Sequence, residues 1–205
     1  MNNINIKAQP MGNYQTNCYI VSINDKDLII DPGVDALPWI EQNVKNPVAI
    51  LNTHGHFDHV WCDKELKEKL NIPIYIHSKD AFMLTNDPFF KGTPKVKADF
   101  SIGEEQIDIE GIKVRFWHFP GHTPGNSVIE FENIWFSGDF LFKGSIGRWD
   151  FPYSSPEDMI RSLKKVEKIN KNFTLLPGHG DKTTLKAEQK TLQWWIEYIK
   201  RDTFY

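Results

Sequence analysis

A dense group of potential metal ligands lies in the first third of the sequence, where residues 53–59 read THGHFDH. The group comprises His54, His56, Asp58 and His59. Side chains two positions apart in an extended segment point the same way, so His54 and His56 can converge on one ion. Asp58 and His59 come where the chain turns toward the next helix, and they can face a second ion. Imidazole and carboxylate are preferred ligands of Zn²⁺ and neighbouring transition metals, so this spacing predicts a metal site.

Three more polar residues each follow a predicted strand and have a glycine directly before them: His122, Asp139 and His179. Strand-end loops of α/β sheets gather at one edge, where ligands bind. A lone histidine at a strand end is ordinarily a surface or packing residue. Here five of the seven histidines fall in such loops, which favours a shared metal centre. The remaining two, His77 and His118, stand in no motif and are predicted to be structural.

The elements that must position these residues alternate between short strands and helices. Strands are predicted at residues 4–8, 18–23, 28–30, 48–51, 74–77, 107–109, 113–118, 127–131, 134–137 and 173–176. Helices are predicted at residues 35–44, 63–70, 78–84 and 185–199, with a further one beginning at the cap residue Ser155. Residues 86–100 are predicted to form a long surface loop. This alternation predicts a layered α/β domain with its sheet in the middle.

Composition narrows the class of protein. The chain has 205 residues, 40% of them apolar and 25% charged, with a formal charge of −3, as expected for one folded domain. The absence of a basic block argues against nucleic-acid binding, and no apolar run reaches the roughly 20 residues of a membrane span. Residues 1–10 lack the pattern of a signal peptide, and Cys18 and Cys62 are too few for a disulfide framework, so a cytoplasmic protein is expected. Together with the predicted metal site, this favours a small-molecule substrate over a nucleic-acid or membrane partner.

Taken in order along the chain, the seven candidate ligands resemble those of the metallo-β-lactamase superfamily, over a stretch from the Asp31-Pro32-Gly33 turn to His179. The resemblance implies a single αββα sandwich domain over residues 1–205, with two metal ions at one edge of two sheets. It implies one ion held by His54, His56 and His122, a second by Asp58, His59 and His179, and a bridge between them by Asp139. It gives Asp31 a supporting role, whereas the residues alone indicate only a turn.

The same resemblance implies the chemistry. Two adjacent ions, expected to be zinc with iron or manganese as alternatives, lower the pKa of a shared water and give a bridging hydroxide that attacks a carbonyl or phosphoryl group. Asp58 then orients that water or takes its proton, or serves as a ligand alone. The segment from Gly138 to Arg148 is most similar to glyoxalase II and its short bacterial relatives, which implies thioesters of the S-lactoylglutathione type. A basic residue at the position of Arg148 meets the substrate carboxylate there; a surface salt bridge is the alternative role.

The chain departs from full-length glyoxalase II in ways that bear on the substrate. Too few residues follow His179 for the separate C-terminal substrate-binding domain of that family, and the tyrosine expected after this histidine is missing. Asn126 stands where many relatives have another histidine. Other small esters, lactones and phosphodiesters therefore stay open as substrates, although β-lactams are disfavoured because true β-lactamases generally lack the acid matching Asp139.

Two other functions stay open. Persulfide dioxygenases share this fold and hold a single iron at positions matching His54, His122 and Asp139. A non-catalytic binding protein on a degenerate hydrolase fold is the third hypothesis, but the complete ligand set argues against it.

Overall fold

Two six-stranded sheets form the centre of the protein, as seen in a computed structural model that describes residues 4–204. The first sheet contains, in spatial order, β1 (Asn5–Met11), β2 (Thr16–Ile23), β3 (Lys26–Ile30), β4 (Pro47–Leu51), β5 (Ile74–His77) and β6 (Phe100–Ile102). The second contains β7 (Glu105–Ile109), β8 (Ile112–His118), β9 (Ser127–Phe131), β10 (Ile134–Gly138), β13 (Thr174–Pro177) and β14 (Thr183–Thr184). Two short strands, β11 (Leu141–Phe142) and β12 (Ser145–Ile146), pair with each other in a separate two-stranded sheet.

Seven helices accompany these strands within the described residues. They are α1 (Leu37–Asn43), α2 (Phe57–Val60), α3 (Asp63–Leu70), α4 (Met83–Asn86), α5 (Pro156–Glu167), α6 (Leu185–Glu188) and α7 (Leu192–Phe204). The predicted start at Ser155 is confirmed: its side chain accepts a hydrogen bond from the N–H of Asp158 at 3.1 Å, and Pro156 takes the first helical position. A cap of this kind contributes about 1 kcal/mol to helix stability. None of the helices in this part of the chain is long and apolar enough to cross a membrane.

Strand alternation builds three apolar layers, because successive side chains point to opposite faces of a sheet. Leu28 and Ile30 of β3 pack between the sheets against residues such as Phe116, while Ile29 faces the layer that contains α1 and α3. On the far side of the second sheet, residues such as Trp135 pack against α5, α6 and α7. The order helix, sheet, sheet, helix confirms the predicted αββα sandwich. The expected domain of residues 1–205 includes residues 1–3 and 205, which lie outside the described part.

Two predicted helices are wrong in extent. Residues 78–82 form turns, and the helix begins only at Met83, because this segment turns to bury the carboxylate of Asp80. The helix predicted for residues 185–199 is interrupted between Glu188 and Leu192. Glu188 is buried and accepts hydrogen bonds from Thr183 Oγ1 and the N–H of Gly144, which anchors this break to the neighbouring strands.

Candidate metal centre

Three strand ends meet at one edge of the sandwich and carry most of the candidate ligands. β10 and β13 are parallel neighbours, so Asp139 and His179, which follow them, lie side by side. β4 ends at the same edge in the first sheet, and a backbone hydrogen bond of 2.7 Å from the N–H of Asn17 to the carbonyl oxygen of Gly178 joins the two sheets there.

The other candidate ligands come from two loops at this edge. His54 and His56 follow β4, and the single turn of α2 then presents Asp58 and His59. His122 comes from the loop between β8 and β9.

Glycine is required at one contact inside this cluster. A Cβ atom on Gly178 would lie 2.3 Å from Oδ1 of Asp139 and 2.7 Å from Cε1 of His59, far inside van der Waals contact. The glycine that precedes His179 in the sequence therefore leaves room for the neighbouring candidate ligands.

The candidate ligands fall into two groups. One nitrogen each of His54, His56 and His122 lie within 4.8 Å of one another. A carboxylate oxygen of Asp58 and one nitrogen each of His59 and His179 meet the same distance. A third combination of Asp31, His54 and His59 also meets this distance.

Asp139 lies between the two principal groups. One of its oxygens is 3.4 Å from His59 Nε2, and the other is 3.4 Å from both His122 Nε2 and His179 Nε2. The structure thus brings together all seven residues that the sequence singled out, and their roles as ligands and bridge stay a prediction.

Hydrogen bonds to backbone carbonyls set the orientation of two histidines. Nδ1 of His122 is 2.8 Å from the carbonyl oxygen of Arg148, and Nδ1 of His179 is 3.1 Å from that of Tyr14. A carbonyl only accepts, so each Nδ1 carries the proton and donates it. In the neutral ring Nε2 then carries a lone pair directed into the cluster, as a metal ligand requires.

Asp31 supports the second group, as the resemblance implied. Its carboxylate accepts hydrogen bonds from the backbone N–H of Thr53 at 2.8 Å and from the Thr53 hydroxyl at 2.6 Å. It also lies 2.9 Å from Nδ1 of His59, which leaves Nε2 of His59 facing the cluster. Asp31 therefore contacts the candidate ligand His59 directly and orients that ring from behind.

Thr16 is a contributor that the sequence did not reveal. Its hydroxyl donates a 2.8 Å hydrogen bond to Oδ2 of Asp58 and so fixes that carboxylate. Thr16 lies 42 positions before Asp58, outside any motif, so only the tertiary fold brings the two together.

Electrostatics divide the centre into a neutral and an acidic half. Burial lowers the pKa values of His54, His56 and His122, which keeps these imidazoles neutral and able to bind a cation. In the acidic half, burial is outweighed by charged neighbours. His59 and His179 lower the pKa of Asp58, and the carboxylates of Asp139 and Asp58 raise the pKa of His179 to about 9. Two ionised carboxylates held this close in a buried site favour a cation between them.

Unpartnered polar atoms indicate that the cluster fits metal ions. Nε2 of His54, Nε2 of His59 and Oδ1 of Asp139 are buried and make no hydrogen bond with any described residue. Buried polar atoms are ordinarily hydrogen-bonded, so such a concentration in one place needs a ligand. The donor set of imidazole and carboxylate suits zinc, iron and manganese alike.

A cavity of about 560 Å³ opens above the candidate ligands. His56, Asp58, His122, Asp139 and His179 form its floor, and its walls are mainly apolar. The wall side chains include Phe57, Phe89, Phe142, Ile146 and Phe151. The cavity therefore accepts a substrate with an apolar portion whose reacting group lies against the ligand cluster.

Arg148 lies at this cavity and also pairs on the surface. Its Nε and Nη2 donate to the carboxylate of Asp150 at 2.8 and 2.6 Å, and its guanidinium lies 4.4 Å from the centre of the Phe151 ring. Both expected roles, substrate contact and surface salt bridge, are thus compatible with its position. The ion pair with Asp150 holds the Arg148 side chain at the rim of the cavity, and its remaining guanidinium N–H groups can still donate to a substrate.

His77 and His118 lie away from the cluster and stack on each other, with ring centres 4.1 Å apart. Burial, followed by the proximity of His118, lowers the pKa of His77 from 6.5 to about 4. In the unfolded chain His77 becomes protonated near pH 6.5, whereas in the folded protein it becomes protonated only near pH 4. The unfolded state therefore binds more protons between these pH values, and the stability that His77 contributes above pH 6.5 is lost as the pH falls.

The expected result is a fall of about 2 kcal/mol in the free energy of unfolding between pH 7 and pH 4.5 from this residue, at about 1.4 kcal/mol per pKa unit. Urea unfolding of the wild type and of His77→Phe at both pH values measures it. The difference in stability between the two proteins should shift in favour of the variant at the lower pH. If the free energies of unfolding of the two proteins changed equally between the two pH values, the lowered pKa of His77 would be contradicted.

Comparison with known proteins agrees with this geometry. The model of the metallo-beta-lactamase superfamily matches residues 11–179. The hydroxyacylglutathione hydrolase GloC of Haemophilus influenzae is 34% identical over 204 aligned residues, covering 92% of this chain and 96% of that protein.

Two solved structures are similar in fold and sequence. The B3 metallo-beta-lactamase BLEG-1 superimposes with a TM-score of 0.82 at 31% identity, covering 91% of this chain and 97% of that one. The protein TTHA1623, in a di-iron-bound form, superimposes with a TM-score of 0.81 at 31% identity, covering 90% and 98%. With the family match, these likenesses show that the chain belongs to the metallo-beta-lactamase superfamily and is a metal-dependent hydrolase.

Proposed function

We propose that the protein is a dinuclear metal-dependent hydrolase of thioesters of the S-lactoylglutathione type. The observation that carries the proposal is the position of Asp139, whose two oxygens lie 3.4 Å from nitrogens of both ligand groups. A pair of divalent ions held there, proposed to be zinc, would supply activated water for hydrolysis near neutral pH and stabilise the charge that develops on the substrate. The likeness to GloC, which extends over nearly the full length of both chains, supports the choice of substrate.

Asp58 is the proposed catalytic carboxylate. It lies in the cavity floor, and its oxygen Oδ2 is held by Thr16 at 2.8 Å and lies 3.4 Å from Nε2 of His179. Its lowered pKa keeps it ionised throughout the neutral range, so it can accept a hydrogen bond from the attacking water. Thr16 and His179 restrict its movement and hold it in one orientation.

The rim of the cavity suits an anionic substrate. Arg148 offers the guanidinium donors that Asp150 leaves free, and Lys91 also lines the cavity, with its Nζ 5.4 Å from the centre of the Phe57 ring. Lys91 forms no ion pair with any residue of the described part of the chain. Both cations stand beside aromatic rings, an arrangement suited to a molecule with an apolar portion and a carboxylate.

Arg148→Ala is expected to raise KM about tenfold and to leave kcat nearly unchanged, because a contact with a distant carboxylate stabilises substrate and transition state equally. The backbone carbonyl that holds His122 remains in the variant, so metal content should also be unchanged. Steady-state kinetics with S-D-lactoylglutathione measure the effect. Lys143→Ala is the matched control, since Lys143 is paired with Asp181 at 2.9 Å and does not line the cavity. A fall in kcat at constant KM would refute the assigned role.

The function itself is tested with protein loaded with two equivalents of zinc. Hydrolysis of S-D-lactoylglutathione should proceed with kcat/KM above about 10⁴ M⁻¹s⁻¹, the lower end for working enzymes. A lactone, a phosphodiester and a β-lactam serve as competing substrates, the last because the similar protein BLEG-1 is a B3 metallo-beta-lactamase. Oxygen consumption by iron-loaded protein with glutathione persulfide tests the dioxygenase alternative. Thioester hydrolysis at background level, with turnover of any other compound, would overturn the proposal.

A further inference from the structure

A buried carboxylate outside the seven candidate ligands connects the two loops that carry the three histidines of the first group. Asp80, in the turn before α4, is fully buried. Its Oδ2 accepts hydrogen bonds from the backbone N–H of Gly55 at 3.1 Å and from Thr123 Oγ1 at 2.6 Å, and its Oδ1 accepts one from the N–H of Gly125 at 2.5 Å. Gly55 stands between His54 and His56, and Thr123 directly follows His122.

Close packing confines both loops against Asp80. A Cβ atom on Gly125 would lie 2.7 Å from Oδ1 of Asp80 and 2.8 Å from its backbone nitrogen. A Cβ atom on Gly55 would lie 2.6 Å from Cβ of Met83 and 3.1 Å from the carbonyl oxygen of Asp80. The glycines in the two ligand loops thus allow the backbone to reach this carboxylate.

The two loops come from different sheets. His54 and His56 follow β4 of the first sheet, whereas His122 follows β8 of the second. The hydrogen bonds of Asp80 cross the boundary between the sheets directly behind the three-histidine group. The other group depends on different supports, since Asp31 holds His59, Thr16 holds Asp58, and the carbonyl of Tyr14 holds His179.

We propose that Asp80 is a positioning residue that sets the distance between the His54–His56 loop and the His122 loop, and thereby the metal affinity of the three-histidine site alone. The inference rests on the proposed ligand assignment. It predicts that the two metal sites respond differently when this carboxylate is changed.

Asp80→Asn is the informative variant, because it keeps the size of the side chain but replaces one acceptor oxygen with an N–H₂ donor. All three partners of Asp80 are donors, so either orientation of the amide sets a donor against a donor. Asp87→Asn is a matched control: Asp87 also accepts from two backbone N–H groups, those of Lys91 and Gly92, and from the hydroxyl of Thr93. It is not adjacent to any candidate ligand.

Isothermal titration of metal-free protein with zinc measures the two sites, and visible spectra of cobalt-substituted protein identify which one changes. The wild type and Asp87→Asn should bind two equivalents with the same affinities. Asp80→Asn should bind one equivalent as the wild type does and the other about 10- to 100-fold more weakly, with the altered cobalt bands at the weak site. Equal weakening at both sites, or wild-type affinity at both, would overturn the proposal.

If Asp80→Asn does not fold, Thr123→Val removes one of the three donors and should weaken the same site by a smaller factor. Unchanged affinity in that variant overturns the proposal equally. A wild type that binds a single equivalent would contradict the proposed dinuclear function. If the cobalt bands assign that single site to the three histidines, weaker binding in Asp80→Asn would still support the role of Asp80. Unchanged affinity there, or a single site formed by the other group, would overturn it.

Discussion

Replacing Asp139 with asparagine is expected to lower kcat/KM by about 10³-fold or more. The carboxylate has oxygens 3.4 Å from nitrogens of both ligand groups, so it is the group placed to hold two ions close together. An asparagine keeps one neutral acceptor and loses the negative charge. Losing one ion removes several kcal/mol of transition-state stabilisation, and each 1.4 kcal/mol is about tenfold in rate.

Kinetics and metal analysis of the same purified Asp139→Asn protein test this expectation together. The result should be one metal ion or fewer per chain alongside the loss of activity. Glu130→Gln is a suitable control, since Glu130 is a carboxylate of the same sheet that bonds to the indoles of Trp117 and Trp135, away from the centre. Near-normal activity of Asp139→Asn with two bound ions would refute the bridging role.

Removing the metal ions should destabilise the folded protein strongly. Two ionised carboxylates lie among buried ring nitrogens in the centre. Without metal ions the protonated rings of His59 and His179 compensate their charge, but other buried polar atoms of the cluster are left without a hydrogen-bonding partner. Zinc at a thousand times its dissociation constant adds about 4 kcal/mol to the free energy of unfolding for each site that only the folded state binds. For a chain of this size 1 kcal/mol corresponds to about 2–4 °C in Tm.

Melting temperatures measured with excess zinc and after exhaustive chelation should therefore differ by about 16–32 °C when both sites are filled. The His59→Ala variant should show a smaller difference, since one site is then incomplete. Identical melting temperatures with and without chelator would contradict a buried metal centre. Chelation should also abolish hydrolysis, and zinc should restore it.

Local signals in the sequence predicted a layered α/β domain and a shared metal site, whereas the αββα order and the division of the seven ligands between two ions came from the family resemblance. Short continuous apolar runs marked β3 and β4, and the HxHxDH spacing placed four polar side chains after the end of β4. Glycines marked the tight turns before His122, Asp139 and His179. The structure brings these residues together, and their role as metal ligands stays a prediction.

The supporting residues could not be predicted in the same way. Asp80 is 25 positions from Gly55 and 45 from Gly125, and neither separation carries a local pattern. The break before α7 follows from the burial of Glu188, which accepts hydrogen bonds from Thr183 and from Gly144 in the turn between β11 and β12. These contacts override the continuous helical periodicity of residues 185–199. Such features depend on tertiary contacts. The same holds for the neighbours of Arg148, since Phe151 lines the cavity, whereas Trp149 packs near α7.

The central claim is that seven side chains hold two metal ions beside the cavity. A crystal structure of zinc-loaded protein, with anomalous data collected at the zinc edge, tests it most directly. Two peaks are predicted, with ligand distances of about 2.0–2.2 Å. One should be bound by His54, His56 and His122, the other by Asp58, His59 and His179, with Asp139 contacting both. A single peak, or a second peak away from these residues, would contradict the dinuclear account.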